Sequence, residues 1–317
     1  MEFREKARPM IINVAFAIPP TSVKFTHWHD GFTEAMGLLA DRYEVRWLNV
    51  HPLAPQMKKA RRQLFDCDFL LVKSNFGWIP DMAYIREAAK RNVLPRTGLM
   101  ISGSNPPRPG DIGRFDVLFY ETTWMAPFVA EHPLTRRAFG IDTDTMHPPP
   151  EEIDRQIDWL MVGRPASFKH PERLMERTGR RLLIGEIAGA VEAVDRLQVA
   201  GVEVRDFVAY SELAEIYRQT RVLLIAADLH GGGERAIWEA RSCGCEVELL
   251  SDNPKLQIIL DEPVLSHVDY AAALAEGITA ALAAPTPFRT AARADFAARL
   301  RVHRRSTLAT QLRRLRR

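Results

Sequence analysis

Short apolar runs recur along this chain with room between them for one helix each, and that rhythm limits the fold more than any other feature. The first run is Ile11-Ile12-Asn13-Val14-Ala15-Phe16-Ala17. Others follow at 43–49, 65–72, 97–102 and 116–120, with helices expected at 31–40 and 82–91. The proline run Pro148-Pro149-Pro150 then stiffens the chain as a linker would. Beyond it the alternation resumes at 159–162, 181–184, 202–206, 222–227 and 246–250. Apolar runs this short read as buried strands. Strands alternating with helices imply a parallel sheet with right-handed crossovers. A chain of 317 residues is long enough for two such domains.

Composition removes several function classes. Hydrophobic residues at 46% and charged residues at 26% are globular values, so disorder is not expected. No run approaches the ~18 apolar residues of a membrane span. The charged start, Met1-Glu2-Phe3-Arg4-Glu5-Lys6, lacks the apolar stretch of a secretion signal, and a cytoplasmic location is expected. Three cysteines fit a reducing compartment. Cys243 and Cys245 lack a matching pair and read as buried side chains, so no metal site is expected. No Gly-x-Gly-x-x-Gly follows the first run, which weighs against a nicotinamide dehydrogenase. The segment 288–317 carries ten arginines and a single acid, Asp295. Phe288, Ala292, Phe296 and Leu300, then Leu308, Leu312 and Leu315, give it one apolar side, the mark of an amphipathic helix. Such a helix either docks by that side with its arginines in water, or meets a polyanionic partner such as nucleic acid or an anionic membrane surface.

The most specific segment follows the run at 222–227. Gly231-Gly232-Gly233 precede a helical stretch that begins at or just after Glu234. Main-chain amides at a helix N-terminus, with no Cβ in the way, seat phosphate. Glu239, further along, is within reach of a ribose hydroxyl. Trp159-Leu160-Met161-Val162-Gly163-Arg164 ends another strand in Gly-Arg, with Lys169 close behind. Arg164 offers a planar fork to phosphate oxygens, and Lys169 a mobile point charge. A third segment, Gly140-Ile141-Asp142 through Pro148, stands just before the linker.

Together these segments resemble GT-B glycosyltransferases, especially the group 1 or family 4 enzymes. The resemblance is weak in the first half and strong from about residue 115. It implies an α/β GT-B chain: two Rossmann-like doubly wound domains facing across a cleft, with a C-terminal helix crossing back. On that plan residues 1–147 form the acceptor-side domain, 148–287 the donor domain and 288–317 the crossing helix, packed on the N-terminal domain. The implied donor is a UDP- or GDP-sugar, with no cofactor or metal required, bound by Arg164, Lys169, Gly231, Gly232, Gly233, Glu234, Arg235 and Glu239.

The acceptor side is implied at His27, Trp28, Glu121 and Trp124, with His29, Asp30 and Glu234 as catalytic candidates. Asp30 has a second reading as a helix N-cap. The family pattern places two glutamates eight positions apart; Glu239 matches the second, but the first falls at Gly231. The acceptor is a hydroxyl on a glycan, a lipid-linked sugar or a small molecule, or alternatively on a hydroxylated base in DNA. A different class remains open, a noncatalytic nucleotide-sugar binder. Retention or inversion is not settled by these residues.

Overall fold

The computed structural model describes residues 8–22, 28–74, 95–102, 113, 115–229 and 231–284. The first sheet holds β1 (Ile11–Phe16), β2 (Glu44–Asn49), β3 (Phe69–Ser74), β4 (Arg96–Ile101), β5 (Val117–Tyr120) and β6 (Thr135–Arg137) in the order β2-β1-β3-β4-β5-β6. The second holds β7 (Ile157–Val162), β8 (Arg181–Ile184), β9 (Glu203–Arg205), β10 (Thr220–Ile225) and β11 (Glu246–Leu249) in the order β11-β10-β7-β8-β9. Every pairing in both is parallel. The apolar rhythm of the sequence is thus realised as strands. It missed β6, whose Thr-Arg-Arg sequence carries no apolar run because the strand lies at a sheet edge. The expected helix at 82–91 lies outside the described residues.

The helices are α1 (Gly31–Leu39), α2 (Met57–Gln63), α3 (Ala126–Val129), α4 (Val191–Val199), α5 (Tyr210–Arg218), α6 (Glu234–Ser242), α7 (Pro254–Asp261) and α8 (His267–Ala283). Local chemistry sets their starts. Asp30 and Thr33 form a reciprocal capping box at α1, and Ser266 and Asp269 do the same at α8. Asn253 caps α7, with Pro254 at its first position.

Both faces of each sheet are covered, as parallel sheets require. One face of the first sheet buries Ala15, Leu70, Val72, Leu99 and Leu118 in a core of its own. The other face is not closed off within the first half. Ile12, Val14, Phe69 and Phe119 belong to a continuous apolar core that runs through Phe139 and Trp238 to Leu160, Leu182 and Leu223 of the second sheet. The Phe139 and Trp238 rings, 4.6 Å apart, join the two halves.

The chain returns across this seam earlier than the sequence implied. Helix α8 packs on α1 and the first sheet. Gly277 permits this, since a Cβ there would stand 2.4 Å from the Phe119 ring. Helix α8, which the sequence reading placed within the second domain, thus packs on the first sheet, and the chain recrosses near Leu265-Ser266. Residues 288–317, the expected crossing helix, lie outside the described residues.

The two crossings touch main chain to main chain. Ile141 pairs with Ser266 as an isolated parallel bridge, and its amide donates to the Leu265 carbonyl at 3.0 Å. A Cβ on Gly31 would lie 2.1 Å from the Gly140 carbonyl oxygen, and one on Gly140 would lie 2.1 Å from that of Ser266. Three backbones are stacked there with no side chain between them. Among the described residues, no helix is long and apolar enough to cross a membrane.

Candidate functional site

Strands β7 and β10 are neighbours, yet the chain continues from β7 to β8 on one side and from β10 to β11 on the other. The loops leaving their carboxyl ends diverge and open a crevice, the usual ligand position in an open α/β sheet. After β7, Gly163 has φ +126, and the position its Cβ would take lies 2.5 Å from the Lys169 ammonium nitrogen. The positive φ favours glycine there, and the lysine's flexible end occupies the space a side chain would take. Arg164 is exposed and lines a cleft of about 450 Å³ together with Phe168, Gly189, Val191 and Arg196.

The loop after β10 is pinned to this one. The Asp228 amide donates to the Phe168 carbonyl at 2.9 Å, and the Asp228 carboxylate lies 2.9 Å from His170 Nε2. His170 Nδ1 is 2.9 Å from Glu172. Those hydrogen bonds, to Asp228 first and Glu172 second, raise the imidazole above its ordinary range. Asn253 secures the Asp228 carbonyl from below at 2.9 Å.

All three glycines have a steric reason. A Cβ on Gly231 would stand 2.5 Å from the Ala227 Cβ, while Gly232 and Gly233 hold φ of 64° and 130°. Gly233 is the N-cap of α6 and offers no capping side chain, so the first-turn amides face the crevice uncapped by it. Glu234 opens the helix; its side chain, like all of His230, lies outside the described residues.

Arg235 and Glu239 take partners the sequence did not suggest. Arg235 reaches across the seam to Asp30 at 2.6 Å and back along its own helix to Glu239 at 3.4 Å. Glu239 is 2% exposed. The hydroxyls of Tyr210 and Tyr217 donate to its two oxygens at 3.0 and 3.3 Å. Burial, the largest influence, raises its carboxyl above the ordinary range, and Arg235 and the tyrosines offset this only in part. The expected ribose ligand is thus enclosed by protein donors.

On the facing wall, Asp30 serves as the N-cap and more. Its Oδ1 accepts from the amides of Phe32 and Thr33, both at 3.1 Å. Its Oδ2 accepts from the Trp28 indole at 2.9 Å and from Arg235 at 2.6 Å. Trp28 packs among Phe16, Phe32 and Trp47. His29 keeps an exposed ring beside Tyr210, with Nε2 3.1 Å from Asp142 Oδ2. Burial works against the charged form of Asp142, but bonds from Thr145 and His29 outweigh it and hold the carboxyl below its usual range.

Glu121 pairs with the buried Lys73 at 3.1 Å, whose ammonium also lies 4.4 Å from the Phe32 ring centroid. Trp124 is half-buried against Phe128, with its indole nitrogen turned inside. His27 lies outside the described residues. The structure therefore gathers Asp30, Trp28, Arg235 and Glu239 into one network, and groups Arg164 and Lys169 separately at the crevice. Sequence reasoning missed Tyr210, Tyr217 and Lys73, which carry no local motif, and the structural use of His170 and Asp228.

Burial pushes the thiols of Cys67, Cys243 and Cys245 up to about 12, so none serves as a ready thiolate.

No protein-family model matches the chain, and no curated protein sequence matches it. Solved structures do. HepE of Anabaena, in complex with UDP and glucose, superposes at TM-score 0.56 with 13% identity, covering 95% of this chain and 100% of that one. AviGT4, a glycosyltransferase of avilamycin A biosynthesis, superposes at 0.60 with 15% identity over 87% of this chain and 98% of its own. Sucrose-phosphate synthase of Thermosynechococcus elongatus gives 0.56 at 14% identity, with 96% and 99% covered. The chain has the GT-B fold.

Proposed function

We propose that the protein is a glycosyltransferase, moving a sugar from a nucleoside diphosphate sugar to a hydroxyl acceptor without a metal at the diphosphate. One observation carries this reading: the loop after β7, which bears Arg164 and Lys169, and the glycine loop that opens α6 leave the carboxyl ends of neighbouring strands and are held together by the Asp228–Phe168 hydrogen bond. In that place two cations and uncapped amides meet the diphosphate. Their attraction strengthens as charge builds on the leaving group, which is the condition for catalysis rather than mere binding. HepE, bound to UDP and glucose and also to UDP-glucose, supports a uridine donor.

The nucleoside end of the donor takes the cleft beside Arg164, Gly189 and Arg196. Ribose reaches Glu239 only by taking the place of the Tyr210 hydroxyl on Oε1. On the acceptor side, Asp30 has four donors on its carboxylate and is a poor proton acceptor. His29 is assigned that task, oriented by Asp142; Trp28 and Asp30 shape the loop that carries it, while Glu121 and Trp124 border the acceptor.

Gly231, standing where a glutamate is expected, favours a second reading as a nucleotide-sugar binder without transfer. Calorimetry with UDP, GDP and their sugars, followed by a transfer assay on glycans, lipid-linked sugars and hydroxymethylated DNA, tests both. Donor binding with transfer is expected. Binding without transfer or donor hydrolysis supports the second reading, and no binding of any donor removes both.

A further inference from the structure

Next to the stacked backbones at the seam is a group of side chains of which the proposed transfer uses only Asp142, as the orienting partner of His29. His267 opens α8, and its imidazole faces two carboxylates from the other crossing. Nδ1 is 3.9 Å from Asp142 Oδ1, and Nε2 is 3.8 Å from Asp144 Oδ2. These separations are too long for hydrogen bonds. The His267 side chain is 8% exposed, and its Nδ1 has no hydrogen-bond partner. A buried polar nitrogen without a partner costs free energy and calls for an explanation.

We infer that Asp142, Asp144 and His267 hold a divalent first-row cation, with zinc preferred. One ligand atom from each residue lies within 4.8 Å of the others. Zinc bonds of about 2.0–2.2 Å in a tetrahedral shell put two ligand atoms roughly 3.4 Å apart, so the carboxylates must close in by about 0.5–1.5 Å to share one ion. The Asp144 side chain, 87% exposed, is free to make that movement. The donor set, one imidazole nitrogen and carboxylate oxygens, suits Zn²⁺ or Mn²⁺. It disfavours Ca²⁺ and Mg²⁺, which prefer oxygen alone, and Cu⁺, which prefers sulfur. Coordination positions on the Asp144 side stay open to water.

The site also has an outer layer. His29 Nε2 bonds the second oxygen of Asp142 at 3.1 Å, the relation that commonly orients a ligating carboxylate. Asp142 Oδ1 is fixed in turn by the amides of Asp144 and Thr145, at 3.1 and 3.2 Å. An ion here would tie the chain's exit from the first domain to its return at α8, beside the loop that carries His29. No short motif contains this group, because its ligands come from two distant crossings.

The test uses the full chain, freed of metal by dialysis against a chelator and titrated in parallel with ZnCl₂, MnCl₂ and MgCl₂. One zinc per chain is expected, bound more tightly than manganese, and manganese more tightly than magnesium. Zinc should raise Tm. Asp144→Asn, at an exposed position, should fold normally and bind zinc about 10-fold or more weakly, without the Tm response. X-ray absorption should show nitrogen and oxygen neighbours only. Zinc binding unchanged in Asp144→Asn, sulfur in the zinc shell, or no zinc binding by the wild type would each overturn the assignment.

Discussion

The wall of the cleft formed by the second domain presents main chain, whereas the wall formed by the first presents side chains already engaged with one another. At the second-domain wall, the proposed donor side, glycines at 163, 232 and 233 hold positive φ, a helix starts without a capping side chain, and Arg164 stands exposed at the crevice. At the facing wall, Asp30, Trp28, Lys73 and Glu121 are tied up in a cap, an aromatic cluster and ion pairs. Arg235 and Glu239 belong by sequence to the first kind of wall and by contact to the second. The difference teaches that a surface made of backbone announces itself as motif, while a surface made of mutually bonded side chains does not.

That contrast can be broken at Glu239. Removing its carboxylate leaves two tyrosine hydroxyls and Arg235 without their acceptor in a closed site, so Glu239→Ala should lower stability by about 3–5 kcal/mol. Chemical denaturation measures this. A variant that loses donor affinity but keeps its full stability would return Glu239 to the donor wall.

Arg164→Ala and Lys169→Ala should behave in the opposite way. Each should slow transfer by ~10²-fold, the usual cost of losing one contact to developing charge. Their unfolding curves should match the wild type. Turnover near normal in both would show that the crevice does not hold the diphosphate.

Gly232→Ala lies between the two classes. Its φ of 64° is a conformation an L side chain adopts at a cost of roughly 1–2 kcal/mol. Donor affinity measured by calorimetry should fall with little change in global fold. Equal affinity in the two proteins would mean the amide arrangement of the loop does not matter.

The smallest effect is expected at His170, a half-buried clamp between the loops after β7 and β10. Its folded pKa is raised above the ordinary 6.5, so its contribution is complete below that value and is lost as pH rises through the raised one. The Tm difference between wild type and His170→Ala should therefore be present in mild acid and vanish toward alkaline pH. A difference that is flat or grows with pH would refute the clamp.

Much of this was open to reading in the linear chain. Runs such as Ile11-Ile12-Asn13-Val14 are buried on both faces, and the glycines before α6 mark a loop that side chains would obstruct, so the strands and that loop could be found by pattern. Asp30 as a cap was also legible, since capping is a local interaction. Tyr210, Tyr217 and Lys73 were not, because a partner distant in sequence leaves no trace in spacing. The packing of α8 on the first sheet was not foreseen for a related reason: the basic segment 288–317 has the stronger amphipathic pattern, while α8 carries the glycine that fits against Phe119.

The stacked backbones of Gly31, Gly140 and Ser266 have a mechanical consequence. Main chain pressed on main chain can roll, but it cannot slide apart without breaking the bridge between Ile141 and Ser266. The seam therefore resists shear at the place where the chain crosses twice, beside His29 and Asp142.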